Sequence, residues 1–361
     1  MAILIGAISF WLGLFASWCL SAFAKIIRWS EPIHALAKSF DRRLPKGLEP
    51  LPPWRRLSER AVVILGQNPS SHHLQGTNTY LIGTGQDRIL VDAGEGFDEY
   101  YRLLETVMKE VGCLKISVLL LTHWHIDHVG GVKKLLARFP ELKIYKRRNK
   151  HKEAFQYNSI DEGQKFTTEG ATLTAMYTPG HTEDHCSFVL EEDKALVCGD
   201  MILGCGTAVF DDLYDYMGSL ERASAAVAAG GLTSLYVGHG PAVGAAAPPD
   251  GHRCPGDTQG AAGPPLPAGA QERIEWYLGH RRGREAQLRA ALRRRRARGE
   301  GLATSWALTR EVYGHLPVFV FPSAHYNIEH HLDKLWREGE IIRGWRYAWR
   351  INPSIMDKKK V

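Results

Sequence analysis

The apolar run Ile116-Ser117-Val118-Leu119-Leu120-Leu121 is followed directly by Thr122-His123-Trp124-His125-Ile126-Asp127-His128-Val129-Gly130-Gly131. Four potential metal ligands within six residues, where a buried strand gives way to a loop, constrain this chain more than any other feature. A strand end can aim several imidazoles at one point, and neutral imidazole nitrogen and carboxylate oxygen bind zinc at about 2.0 to 2.2 Å. The competing explanation is a polar loop with chance histidines. Against it, the same ligand types recur after three later apolar runs: His181 in Thr178-Pro179-Gly180-His181-Thr182, Asp200 in Cys198-Gly199-Asp200-Met201, and His239 in Gly238-His239-Gly240-Pro241. Each stands beside glycine or proline, where the backbone can turn sharply. Shared between two metals through one carboxylate, seven converging ligands give each metal about four protein donors and leave room for a bridging hydroxide.

The surrounding pattern predicts a layered α/β fold, with sheets inside and helices outside. Strands are expected at 62–65, 79–82, 89–91, 116–121, 171–177, 186–190, 195–199 and 234–238, and helical spacing appears at Tyr100-Leu103-Leu104-Val107 and Val132-Leu135-Leu136-Phe139. Residues 245–270 are mostly Ala, Pro and Gly and predict a disordered linker. Beyond it, 271–298 reads as a helix with an Arg-rich face, Thr304 and Ser323 as caps of two further helices, and 341–350 as a short hairpin. Helices followed by a hairpin suggest a winged helix. The expected organisation is a hydrophobic segment over 1–24, a linker over 25–58, a catalytic domain over 59–244, a linker over 245–270 and a basic winged-helix-like domain over 271–352.

With 44% apolar and 23% charged residues over 361 positions, the chain is neither disordered nor collagenous. Its six cysteines contain no CxxC pair and fit neither a disulfide scaffold nor a zinc finger. Charge is uneven: residues 271–361 hold 19 Lys/Arg against 10 Asp/Glu, a net of +9, whereas residues 1–270 carry 26 against 29, a net of −3. A basic module on a mildly acidic body suggests a polyanion or an anionic membrane surface as partner, unless it is simply a solvated helix face. Residues 2–24 contain no charge, a length that favours a membrane anchor over the apolar core of a signal peptide, although Ala22-Phe23-Ala24 resembles a cleavage site. Lys25, Arg28, Lys38, Arg42 and Arg43 follow the segment, so the expectation is a membrane-anchored protein whose catalytic domain faces the cytosol. A cleaved signal would direct it to a secretory or organellar lumen instead, and a mitochondrial presequence fits poorly because the segment has no Arg.

The HxHxDH pattern with its later His, Asp and His resembles the metallo-β-lactamase superfamily. That resemblance implies an αββα sandwich with metals at one edge, a first zinc held by His123, His125 and His181, a second by Asp127, His128 and His239, and Asp200 bridging them. Asp92 in Leu90-Val91-Asp92-Ala93-Gly94 matches the family's early Asp, a residue that orients ligands. The segments Leu74-Gln75-Gly76-Thr77-Asn78-Thr79-Tyr80-Leu81 and Phe210-Asp211-Asp212-Leu213-Tyr214-Asp215-Tyr216-Met217 look like the beta-lactamase-like protein 2 group, single-strand-specific endoribonucleases with a winged-helix-like module. The chain is similar, more loosely, to fungal polyketide thioesterases that share the GTNTYL segment. The hydrophobic N-terminus and the Ala/Pro/Gly insert depart from the group's usual pattern.

Two Zn2+ per chain would make hydroxide available at neutral pH, with Asp127 orienting it. The expected reaction is cleavage of single-stranded RNA, with hydrolysis of a small acyl thioester or a glyoxalase-like substrate as the alternative. Asn78 and Tyr214 are expected to face substrate, and Arg293, Arg294, Arg295 and Arg296 to meet RNA phosphates, although such a run is usually a solvated helix face. Trp345, Tyr347 and Trp349 are candidates for base stacking, against core packing for at least one of them. Cys198 reads as core rather than ligand, and His185 as solvent-facing.

Overall fold

Strands that are apolar at nearly every position need cover on both faces. In the computed structural model, which describes residues 43–150, 153–247, 266–317, 320–344 and 348–354, these runs build two sheets laid face to face. The first has seven strands in chain order: β1 Trp54–Arg56, β2 Ala61–Leu65, β3 Asn78–Ile82, β4 Asp87–Val91, β5 Lys115–Leu120, β6 Lys143–Lys146 and β7 Asn158–Ser159. The pairs from β1 to β4 are antiparallel and those from β4 to β7 parallel. The second sheet comprises β8 Lys165–Thr168, β9 Ala171–Tyr177, β10 Cys186–Leu190, β11 Ala195–Gly199, β12 Ser234–Val237 and β13 Val243–Gly244. Here β11 and β12 run parallel and the other pairs antiparallel.

Alternation along each strand divides its side chains between two cores. Ile89 and Val91 of β4 join Phe188, Val197 and Tyr236 between the sheets, whereas Leu90 points the other way. There it meets helix α1, Asp98–Glu110, which buries Tyr100, Leu104, Val107 and Met108 at helical spacing. The one-turn α2, Ile126–Val129, and α3, Val132–Arg138, cover the same face. On the second sheet, α4, Leu213–Gly230, and the first residues of α5, Ala270–Ala297, pack Tyr216, Leu220, Ile274 and Tyr277 against Leu196, Cys198, Leu235 and Val237. The layering is thus α/β/β/α. Truncating one of these fully buried side chains, such as Leu220 to Ala, would cost about 2 to 5 kcal/mol.

The described residues up to Leu278 form one compact unit, and those from Gly279 onward belong to a second. The second unit contains the later part of α5, β14 Ala303–Thr304, α6 Ser305–Tyr313, α7 Phe321–Arg337, β15 Ile341–Arg343 and β16 Ala348–Ile351, with strand order β14-β16-β15. Leu288, Leu308, Ile328, Leu332, Leu335 and Trp349 form its core. Thr304 caps α6 as expected, its Oγ1 accepting from Ala307 N at 3.2 Å. Ser323 caps nothing: α7 already begins at Phe321, because Pro322 supplies a fixed φ and lacks the N–H that a first turn would leave unpaired.

One further expectation changes, one falls outside the described residues, and one helix is new. Among the described residues no helix is long and apolar enough to cross a membrane. The membrane-anchored, cytosol-facing assignment is corrected accordingly; it rested on residues 2–24 and on the basic residues from Lys25 to Arg43, of which only Arg43 lies within the described residues. The predicted linker likewise falls largely on 248–265, outside them. Helix α4 was not anticipated, because its Ala-rich sequence carries little apolar contrast between faces.

Candidate metal centre

Parallel pairing brings the donors to one edge. Because β4 and β5 are parallel, Asp92 and His123 leave their strands on the same side; β11 and β12 do the same for Asp200 and His239. His181 follows β9, and Asp127 and His128 lie on α2 immediately beyond β5.

Two groups result. His123, His125, His181 and Asp200 offer ligand atoms that all lie within 4.8 Å of one another, and so do Asp127, His128 and His239. In the first, His123 Nε2 is 3.0 Å from His125 Nδ1 and 3.2 Å from His181 Nε2, which is 3.1 Å from His125 Nδ1. In the second, Asp127 Oδ2 is 3.1 Å from His128 Nε2 and 3.3 Å from His239 Nε2. Asp200 reaches both, with Oδ2 3.6 Å from His181 Nε2 and 3.3 Å from His239 Nε2, and Oδ1 3.4 Å from His128 Nε2.

This arrangement fits a divalent cation. A neutral imidazole nitrogen is either donor or acceptor, so a triangle of three cannot satisfy itself, whereas a cation at its centre takes all three lone pairs. His128 Nε2 and Asp200 Oδ1 are also buried without a hydrogen bond. Burial, then the neighbouring histidines, hold His123 and His125 well below the ordinary imidazole value, which keeps their lone pairs available. Burial opposes ionisation of Asp127 and Asp200, but the adjacent histidines prevail and hold both carboxyls well below their usual range. Burial similarly disfavours charge on His239, yet Asp200 and Asp127 raise it to about 10.

Fixed partners aim these donors. Asp92, at φ 62°, accepts at Oδ1 from Thr122 N at 2.8 Å, and its Oδ2 lies 2.7 Å from His128 Nδ1. Left-handed backbone at a non-glycine residue is costly, and here it turns a carboxylate onto a ligand ring. Val209 O lies 2.8 Å from His181 Nδ1, and Thr77 Oγ1 donates to Asp127 Oδ2 at 3.0 Å. A Cβ at Gly238 would collide with Asp200 Oδ1, so that position must lack a side chain.

The structure brings all seven histidine and aspartate candidates together, with Asp92 behind them. It places others differently. Asn78 is buried and its Nδ2 donates to Val237 O and Gly240 O, both at 2.8 Å, so the amide pins the His239 loop rather than facing substrate. His185 is fully buried, not solvent-facing: its Nδ1 lies 2.8 Å from Thr178 Oγ1 and its ring centroid 5.4 Å from that of His123. Burial and then His181 lower its pKa to about 3. Tyr214 is exposed at the start of α4, as are Ile126 and Val209, each joined by backbone to a donor segment. Cys198 is core, its thiol donating to Ile202 O and Tyr236 O. In the Arg run, Arg293, Arg294 and Arg296 are exposed and Arg295 half-buried, and Arg294 and Arg295 both pair with Glu311, at 3.0 and 2.8 Å. Trp349 is core and donates to Ser305 Oγ, while Trp345 and Tyr347 lie outside the described residues. No motif singled out His73, whose ring stacks on His239 at 5.4 Å with Nε2 3.8 Å from Asp127 Oδ2.

A family model described as the metallo-beta-lactamase superfamily matches residues 74–239, and one described as a beta-lactamase associated winged helix domain matches 304–349. The chain is 36% identical over 294 residues to the beta-lactamase-like protein 2 homolog of Caenorhabditis elegans, covering 80% of this chain and 88% of that protein. The chain belongs to the metallo-beta-lactamase superfamily. As a metallo-beta-lactamase fold hydrolase it is also 36% identical to the atrochrysone carboxyl ACP thioesterase of Aspergillus fumigatus, over 76% of this chain and 80% of that one. Lactamase-like protein nscB of Arthroderma benhamiae is 39% identical over 77% of this chain, which spans only 58% of that protein's length. Among solved structures, a beta-lactamase domain protein from Burkholderia ambifaria superposes with a TM-score of 0.62 at 18% identity, covering 85% of this chain and 96% of that one, a likeness of fold.

Proposed function

We propose that this metallo-beta-lactamase hydrolase works with two zinc ions and cleaves single-stranded RNA. The triangle of imidazole nitrogens at 3.0 to 3.2 Å carries the metal part of the reading. His123, His125 and His181 would hold one ion, Asp127, His128 and His239 the other, and Asp200 both. When bound, zinc supplies Lewis acidity and lowers the pKa of a water toward about 7. The protein's own part is orientation. Asp127 stays ionised and is held by Thr77 Oγ1, so it can accept a hydrogen bond from the attacking water and fix its direction. Asp92 and the Val209 carbonyl keep the rings of His128 and His181 turned toward the centre.

The RNA part rests on the net +9 of residues 271–361 and on the winged helix within it. A second reading, hydrolysis of an acyl thioester, is supported by the thioesterase relative and by the exposed Ile126, Val209 and Tyr214 near the donors, which suit an apolar acyl group better than a phosphate. The deciding experiment offers purified protein unstructured RNA and an acyl thioester in parallel, before and after chelation. Cleavage of RNA that chelator stops and zinc restores is the expected result. Thioester hydrolysis alone would replace RNA with the second reading, and activity indifferent to chelation would overturn the metal centre.

A further inference from the structure

A lysine ammonium leaves water only where other groups replace its hydration. Lys146, the last residue of β6, is fully buried, with Nζ 2.6 Å from Asp184 Oδ2 and 2.9 Å from Glu153 Oε1. Asp184 is fully buried too, in the loop between β9 and β10 and three residues beyond His181. Its Oδ2 accepts from Asn149 Nδ2 at 3.1 Å, and its Oδ1 from Thr182 Oγ1 at 2.8 Å. Thr182 follows His181 directly, and its carbonyl accepts from Gly180 N at 2.9 Å. The chain of contacts therefore runs from the ammonium to the carboxylate, to a hydroxyl, and to the backbone on both sides of His181. β6 lies parallel to β5 in the first sheet and the loop belongs to the second, so the ion pair joins the two sheets at the edge where the donors collect.

Stability alone does not call for this pair, since apolar residues of similar volume fill such a space without the desolvation cost. We propose that Lys146, acting through Asp184, is a positioning residue of the metal centre: the pair fixes the loop so that His181 Nε2 meets the nitrogens of His123 and His125. The inference rests on the metal reading above. It predicts that loosening the pair lowers metal affinity and alters ligand geometry even where the protein stays folded.

Cobalt(II) titration of the full chain after chelation, followed by visible absorption, tests this in wild type, Lys146→Met, Asp184→Asn and Thr182→Val. Far-UV circular dichroism in chelator reports folding independently. Each variant is expected to fold without metal, to bind cobalt about tenfold or more weakly than wild type, and to show a changed visible spectrum. Thr182→Val leaves the ion pair intact, so a loss of affinity there separates aim from stability. Wild type that binds no cobalt would remove the metal reading itself. Wild type that binds, with variants matching it in affinity and spectrum, would overturn the positioning role alone. Should Lys146→Met and Asp184→Asn both fail to fold, Thr182→Val decides, and wild-type affinity and spectrum in that variant overturn the proposal.

Discussion

The metal edge and the winged-helix unit both bury charged side chains, but only one of them lets like groups meet. In the winged unit each charge faces its opposite: Lys334 Nζ lies 3.0 Å from Glu285 Oε1 and 2.7 Å from Glu338 Oε1, and Arg289 lies 3.2 Å from Glu285. At the metal edge carboxylates also meet histidines, but histidine faces histidine as well: the ring nitrogens of His123, His125 and His181 are in mutual contact, and no placement of protons satisfies all three. A network closed on itself holds a fold, whereas one left open is shaped around something else.

The largest test of that contrast is Asp200→Ala. As the donor common to both groups, it should take metal from both, and activity should fall by more than the roughly 10–100-fold typical of losing an outer partner. Elemental analysis and turnover measure it, and one tightly held metal with full activity would break the comparison. Next is Glu285→Gln, which leaves Lys334 with Glu338 and Arg289 with Glu340 as their remaining partners. Stability should drop by about 1 to 3 kcal/mol in denaturant, with metal content of the folded protein unchanged. Asp92→Asn should then weaken metal binding by about 10–100-fold with little loss of stability, because it turns a ligand rather than closing a network.

Glu329 sharpens the comparison as the winged unit's exception. Burial raises its carboxyl to about 7, outweighing the hydrogen bond from Ser305 and the charge of Arg343. A raised carboxyl contributes stability while protonated, fully below the ordinary value near 4.5, and loses it as pH rises through 7. Glu329→Gln should therefore be about 1 to 2 kcal/mol more stable than wild type at pH 8 and equal to it near pH 4. The smallest effect belongs to the Arg run. With Arg294 and Arg295 already paired to Glu311, changing all four to Glu should flatten the salt dependence of RNA binding by about 1.4, two contacts at about 0.7 each. An unchanged slope would remove the Arg run from the argument for nucleic-acid binding.

What the sequence disclosed was whatever is local. The ligand motifs sit next to the strands that aim them, and unbroken apolar runs announce sheets buried on both faces, so the layers and the seven donors could be read directly. Thr304 could be read for the same reason, its partner being three residues away. Asn78 could not, because its amide reaches Val237 and Gly240 across more than 150 positions. Nor could Lys146, whose partner is 38 residues on and whose burial depends on two sheets meeting. His185 misled because a polar residue in a short loop is usually outside; here Thr178 N donates to His185 O at 3.0 Å, folding the loop back beneath the site. Strands β6, β7 and β8 were too short, at four, two and four residues, to show a period.

Gly238 carries a consequence for how variation in this chain is interpreted. The space that a side chain there would need is taken by Asp200 Oδ1, and its own amide donates to Gly199 O at 2.7 Å. A substitution survey would therefore score position 238 as unforgiving as the donors, although a residue without a side chain contributes no chemistry. Intolerance at such a place records occupied volume, and a map of essential positions would draw the metal centre one residue larger than it is.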